Sequence, residues 1–274
     1  MFLNKAILFA DGGIGKVISS TAVARALSKV YDEVIVFSGY PDVFKHNPNC
    51  IGLHASKYDY ELYKDWAIVK AEPYLHLDYL NHTKHLIACW CELAGVEDDG
   101  DGPELFVSKH ELALAKVIMP DCEVLFQPWG GMAPKDKTEM AMLQSYNMYK
   151  RSLSPQTAGD MVDNWENVYV VSADTHPEIQ GTTKLTQGLR ILFACIKLAP
   201  KIVCIDSFVQ HAAKALDKQA TVLWGGTDEK VLGYEFHDNR RLDNCTPCHR
   251  PNSYLGDMEW DCPYDSKCMD FKDI

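Results

Sequence analysis

The chain lacks any apolar run long enough to cross a bilayer: the longest of its 274 residues, around 191–199, is broken by Lys197. A helical span needs about 20 apolar residues in succession, so no transmembrane segment is expected. Basic residues are also few, 27 against 38 acidic ones for a net charge of -11, and no block of Lys or Arg stands out. A dominant nucleic-acid footprint is therefore not favoured, although an acidic sum does not exclude a local basic groove. Internal repeats and low-complexity tracts are absent, which removes solenoids and linker proteins. The opening residues 1–10 carry only Lys5 as a charge and run into D-G-G-I-G-K, with no small-residue cleavage site. They read as a first strand, not a signal peptide, in a soluble cytoplasmic protein long enough for two domains.

Cysteine, by contrast, is plentiful. Of ten, Cys50, Cys89, Cys91, Cys122, Cys195 and Cys204 sit in apolar or helical contexts without framework spacing and read as reduced core residues. The other four, Cys245-x2-Cys248-x13-Cys262-x5-Cys268, lie in a tail rich in Pro, Asn, Asp and Gly. Four thiolates satisfy tetrahedral coordination and can close a loop-rich module too small for its own core, so a structural zinc or iron ion is expected. Two disulfides or plain buried thiols are the alternatives, and His249 is a spare ligand.

Strand and helix signals alternate. In the first half, residues 6–10 and 33–37 read as strands around a helix at 17–30, with a short helix at 42–46 and short strands at 51–53 and 67–69. Helices are expected at 85–94 and 111–118, separated by the acidic turn 97–102, which reads as a solvated loop. The second half repeats the logic: a strand from 122 breaking at Gly130, helix 156–162, strand 168–172, helix 185–198, strands 202–205 and 221–224. Two doubly wound α/β lobes facing a cleft are expected, at 1–120 and 121–240, with the metal-binding tail at 241–274.

The segment 201–228 is a compact βαβ unit. Asp206 and Ser207 fall where its first strand ends, and Ser207 suits the N-cap of a helix running to about Leu216. Free N–H groups at a helix start beside a strand's carboxyl end nominate a site for an anionic, phosphorylated ligand.

These fixed points resemble the heptosyltransferase-like glycosyltransferases of the ADP-heptose:lipopolysaccharide type. Gly12-Gly13-Ile14-Gly15 followed by a helix is similar to that family's opening glycine loop. Gln127-Pro128-Trp129-Gly130-Gly131 stands where the family has a Pro-Gly turn, and Lys150-Arg151 where it has a lysine ahead of a helix. Asp206-Ser207-Phe208-Val209-Gln210-His211 resembles its D-[TS]-G-P-M-H, and Gly225-Gly226-Thr227-Asp228 its F-G-P-T-D.

The resemblance implies a two-lobed GT-B fold and transfer of a sugar, with inversion, from a nucleotide diphosphate donor to an acceptor hydroxyl. It implies that Lys150 or Arg151 and the helix start after Ser207 meet the diphosphate, and that Asp206 holds donor hydroxyls. His211 supports that loop or reaches the nucleotide, and Gly130 and Thr227 belong to the donor side. The acceptor is a saccharide, a protein or another hydroxyl compound, a nucleic-acid base being least favoured. Two positions depart from the family. Phe208 replaces a glycine, and Lys16 replaces the aspartate taken as the base, a task a lysine performs only with a strongly depressed pKa. Asp11, in the same loop, is the substitute.

Two rival readings compete. One is a GT-B-like binding protein that kept the fold and lost its base. The other is a deviant Walker ATPase using Gly12, Gly13, Gly15 and Lys16, though Val17 stands where a magnesium-binding hydroxyl is required.

Overall fold

The computed structural model describes residues 4–130, 151–174, 176–243, 246–247 and 267–271. Two parallel sheets organise them. The first contains β1 (Lys5–Ala10), β2 (Glu33–Ser38), β3 (Ile51–His54) and β4 (Ala67–Val69), in the order β3-β2-β1-β4. The second contains β5 (Val124–Gln127), β6 (Val168–Val171), β7 (Thr183–Leu185), β8 (Lys201–Ile205), β9 (Thr221–Trp224) and β10 (Asp238–Arg241). Its order is β10-β9-β8-β5-β6-β7. Every pairing is parallel, from Lys5 opposite Glu33 to Asp238 opposite Thr221. The apolar runs V-L-F in β5, V-Y-V-V in β6 and I-V-C-I in β8 are buried along their length, as strands covered on both faces must be.

The strand orders place two switch points. In the first sheet the chain steps outward from β1 to β2 and β3, then returns to the far side of β1 with β4. In the second it steps from β5 to β6 and β7, then returns beside β5 with β8. Ligands of open parallel sheets bind where such reversals leave a crevice at the strands' carboxyl ends.

The described helices are α1 (Ile14–Ser28), α2 (Tyr60–Tyr63), α3 (Leu77–Leu80), α4 (Leu86–Leu93), α5 (Lys109–Ile118), α6 (Pro155–Val162), α7 (Leu189–Leu198), α8 (Phe208–Ala215) and α9 (Glu229–Leu232). A single apolar cluster joins Leu8, Val17 and Trp90 around the first sheet to Leu125, Phe193 and Trp224 around the second. Within it α1 packs on α8, and α5 on α7. Arg190 of α7 locks this junction, giving Glu111 two hydrogen bonds of 2.8 and 2.9 Å and reaching the carbonyls of Phe106 and Asp42. Ser108 and Glu111 also form a reciprocal cap on α5.

Several local expectations need correction. Residues 183–185, the first of which precede and the last of which begins the expected 185–198 helix, form edge strand β7, and the helix starts only after Gly188. Helix α1 begins three residues earlier than periodicity indicates, at Ile14, with Gly13 in extended conformation as its N-cap. The expected 42–46 helix is a 3-10 turn, Pro41–Phe44. Nor is the acidic turn merely solvated: Asp99 takes Arg25 in two hydrogen bonds of 2.9 and 2.6 Å and Lys29 in a third, which holds its carboxyl far below the usual range. Among the described residues no helix is long and apolar enough to cross a membrane.

Candidate active site

The second switch point is lined by polar groups in short supply of partners. Gln127 ends β5, and Asp206 and Ser207 follow β8 directly. Ser207 occupies the N-cap of α8 as expected, yet its side chain does not cap; its Oγ instead lies 3.1 Å from Gln127 Nε2, which donates to it. The first turn of α8 therefore keeps its N–H groups without a side-chain acceptor. Asp206 is 2% exposed; Oδ1 accepts from Gln210 Nε2 at 2.8 Å, and Oδ2 is buried without a partner. Gln127 Oε1, Gln210 Oε1, Thr227 Oγ1 and Arg151 Nε are in the same condition. A buried polar atom left unpaired costs about 1–3 kcal/mol, so a concentration of them at one sheet edge marks a cradle for a polar ligand rather than a core.

Charge reinforces this cradle. Asp206 and Arg151 both act electrostatically on Tyr79 and on His211. His211 is held at about 4, chiefly by burial, with Asp206 opposing the shift and His85, His237 and Arg151 adding to it. Its imidazole is neutral at pH 7, and Nδ1 sits 2.8 Å from Tyr234 Oη. Burial likewise pushes the Tyr234 phenol well above its ordinary range.

The first switch point lies against the same helix, α8. Gly12, at φ +110°, adopts a backbone that favours glycine, and Gly15 packs so closely on α8 that a Cβ there would lie 2.8 Å from His211 Cδ2 and 3.5 Å from Phe208 Cα. One residue on, Lys16 is buried, its Nζ 2.9 and 2.7 Å from the two carboxylate oxygens of Glu72, just past β4. Tyr74 and Trp90 rings flank the ammonium at 5.2 and 5.4 Å. Asp11 is exposed at the end of β1. A further link crosses between the sheets, where His82 Nδ1 meets Asp228 Oδ2 at 2.6 Å.

Of the residues nominated by sequence, Gly15, Arg151, Asp206, Ser207, His211 and Thr227 gather around the facing switch points. Gly130 is buried nearby; its N–H donates to Ser152 Oγ at 3.1 Å, and a Cβ would lie 3.2 Å from Ile205 Cδ1. Lys150, Cys245, Cys248 and Cys262 lie outside the described residues. Cys268 is described: 1% exposed and packed with Met269 and Phe271 in the cluster on the second sheet's other face. The other six nominated thiols are free, and all but the half-buried Cys122 are buried. Sequence reasoning missed Glu72, Tyr79 and Tyr234, and named Gln127 and Gln210 only as motif positions without a role. Gln210 had a signal, since it stands one helical turn after Asp206; Glu72 had none, lying in a loop without periodicity. A separate group of His76, Asp78 and Glu92 has cation-ligand geometry, but Lys84 already occupies both carboxylates at 2.8 and 2.5 Å.

Two parallel-sheet α/β units with opposed switch points constitute the architecture of the two-lobed GT-B glycosyltransferases. Solved structures bear out this fold. A family 9 glycosyl transferase from Veillonella parvula is similar over 94% of this chain and 92% of its own, with a TM-score of 0.64 and 9% identity. The ADP-heptose lipopolysaccharide heptosyltransferase II of E. coli is similar over 92% and 96%, with a TM-score of 0.60 and 14% identity. The dodecameric iron-containing heptosyltransferase TibC, in complex with ADP-D-beta-D-heptose, covers 98% of this chain with 73% of its own, at a TM-score of 0.67 and 11% identity. No family model matches the chain, and no curated protein matches its sequence. The fold is therefore that of the heptosyltransferase-like glycosyltransferases, as the Asp206 and Thr227 motifs lead one to expect.

Proposed function

We propose that the chain is a glycosyltransferase that moves a sugar from a nucleotide diphosphate donor to an acceptor hydroxyl, with inversion. The observation that carries this is the set of buried, unpartnered polar atoms on Asp206, Thr227, Gln210, Gln127 and Arg151 beside the uncapped start of α8. In this reading residues 121–240 hold the donor. Its diphosphate lies against the α8 N–H groups with Arg151 or Lys150 as counter-charge, an arrangement that also stabilises the negative charge developing on the leaving group. Asp206 Oδ2 and Thr227 Oγ1 take donor hydroxyls, and Gly130 lets the backbone approach closely. His211, neutral and held by Tyr234, supports the loop from behind. Residues 1–120 present the acceptor, whether a saccharide, a protein or another hydroxyl compound, and a carboxylate of that half, Asp11 or Glu72, takes its proton.

A zinc or iron ion on Cys245, Cys248, Cys262 and Cys268 pins residues 241–274. The one thiol of the four that is described, Cys268, fits this role, because it lies in a 3-10 turn, Lys267–Met269, buried against the second sheet. When bound, the ion supplies a structural cross-link. The protein works in the cytoplasm in this reading.

Calorimetry with ADP, GDP and UDP and their sugar conjugates tests the proposal. Binding that weakens at least tenfold in Asp206→Ala and Arg151→Ala is the expected result; no binding of any of them at millimolar concentration refutes it. One observation favours a second reading, a GT-B-like binding protein without turnover: Lys16, the residue in place of the family's aspartate, is engaged by Glu72. The same contact weighs against the ATPase reading, which needs Lys16 free to meet phosphates.

A further inference from the structure

We infer that Glu72 is the base that takes the proton from the acceptor hydroxyl, with Lys16 as its positioning residue; this rests on the glycosyl-transfer reading above. A ligand of the first sheet belongs in the crevice between β1 and β4, where the strand order reverses. Lys16, in the helix after β1, and Glu72, in the loop after β4, span that crevice with contacts of 2.9 and 2.7 Å. The Tyr74 backbone N–H also donates to Glu72 Oε1, at 3.3 Å. Exposure is asymmetric across the pair: the Lys16 side chain keeps 7% and that of Glu72 46%. Glu72 is thus a carboxylate anchored from behind and open in front, the arrangement that a general base requires.

Its surroundings connect it to the donor cradle. Lys16 adjoins Gly15, which packs on His211. Tyr74 lies 5.2 Å from Tyr79 by ring centroids, and Tyr79 feels the charges of both Asp206 and Arg151. The other carboxylates of the gap are less suited. Asp228 holds His82 and caps α9 through Lys230 N, Asp206 is buried within the donor cradle, and Asp11 is exposed and, among the described residues, held by no cation in the way Lys16 holds Glu72.

In the step, the acceptor O–H proton passes to a Glu72 oxygen while the acceptor oxygen forms its bond to the anomeric carbon of the donor. The bond from that carbon to the diphosphate oxygen breaks, and its electron pair leaves with the diphosphate. Lys16 keeps the carboxylate aimed throughout.

The test uses ADP-, GDP- and UDP-sugars as probes, with calorimetry for donor binding and diphosphate release to water as turnover. A base beside the anomeric carbon activates water when no other acceptor is present. Glu72→Gln and Glu72→Ala are expected to leave donor affinity within about twofold and lower release by roughly 10²–10⁴-fold, the usual range for a removed acid or base. Added formate restores release in Glu72→Ala alone, which a merely structural role would not produce. Lys16→Met lowers the turnover number more than it alters donor KM, and Lys16→Arg recovers most of the loss. Four results overturn the inference: release near wild type in Glu72→Gln, no rescue by formate, release lost in Asp11→Asn but kept in Glu72→Gln, or a wild type that binds donor yet releases no diphosphate. Failure of the wild type to bind any donor overturns the transfer reading instead, and with it the substrate for this base.

Discussion

At the scale of single residues, Gly15 and His211 decide how closely α1 meets α8, and Asp206 is the buried carboxylate proposed to hold the donor. Asp206→Asn keeps the volume and the Gln210 contact but removes the charge, so donor affinity measured by calorimetry should fall by about tenfold or more, a loss of about 1.4 kcal/mol per decade. Gly15→Ala tests the close approach of α1 to α8. Alanine normally gains about 1 kcal/mol over glycine inside a helix, whereas here its Cβ would stand 2.8 Å from His211 Cδ2. Overpacking costs typically 1–3 kcal/mol, so the variant should be less stable in urea titration despite its better propensity. The His211 imidazole, held at about 4, makes a signed prediction of its own. Between that value and its ordinary 6.5 the unfolded chain binds more protons than the folded one. Stability should therefore fall as pH drops from 6.5 to about 4, and His211→Gln should flatten that part of the curve.

At the scale of elements, the α5–α7 junction is a buried polar lock. Arg190 holds the Glu111 carboxyl down at about 2, first by hydrogen bonding, with Ser108 contributing through backbone and hydroxyl. A carboxylate with a depressed folded value stabilises above its unfolded 4.5 and loses that contribution as pH falls toward 2. Denaturation followed by circular dichroism should show that loss in the wild type and not in Glu111→Gln. Removing only the cation is worse, because it strands a buried charge: Arg190→Met should cost about 3–5 kcal/mol, and the Arg190→Met/Glu111→Gln double variant less than the sum of the singles. The uncapped start of α8 belongs to this scale too. The Ser207 hydroxyl accepts from Gln127 of β5 and does not cap the helix, so the first turn lacks a side-chain acceptor.

For the whole molecule, the proposed metal ion and the proposed donor would each act as a cross-link between distant parts of the chain. Purified protein should carry about one equivalent of zinc or iron, lost in Cys262→Ser, with elemental analysis as the check. A saturating nucleotide diphosphate sugar should raise the melting temperature, since a ligand at 100 times its Kd adds about 2.7 kcal/mol to the folded state. Absence of both effects would leave a two-lobed fold without its expected cargo.

Alternating strand and helix signals and the glycine loop were enough to indicate two parallel α/β sheets, and the D-S-F-V-Q-H and G-G-T-D motifs to nominate Asp206, Ser207, His211 and Thr227, because local periodicity and turn chemistry are properties of neighbours in sequence. Strand β7 and the start of α1 escaped that reading, for a three-residue edge strand and a glycine-led helix start carry little pattern. The pairing of Lys16 with Glu72, of Gln127 with Ser207 and of Gly15 with His211 belongs to the tertiary structure alone. Each joins residues far apart in the chain, brought together only when two sheets reverse strand order at facing edges. Lys16, a substitution of the wrong charge when read in line, becomes in space the anchor of a carboxylate.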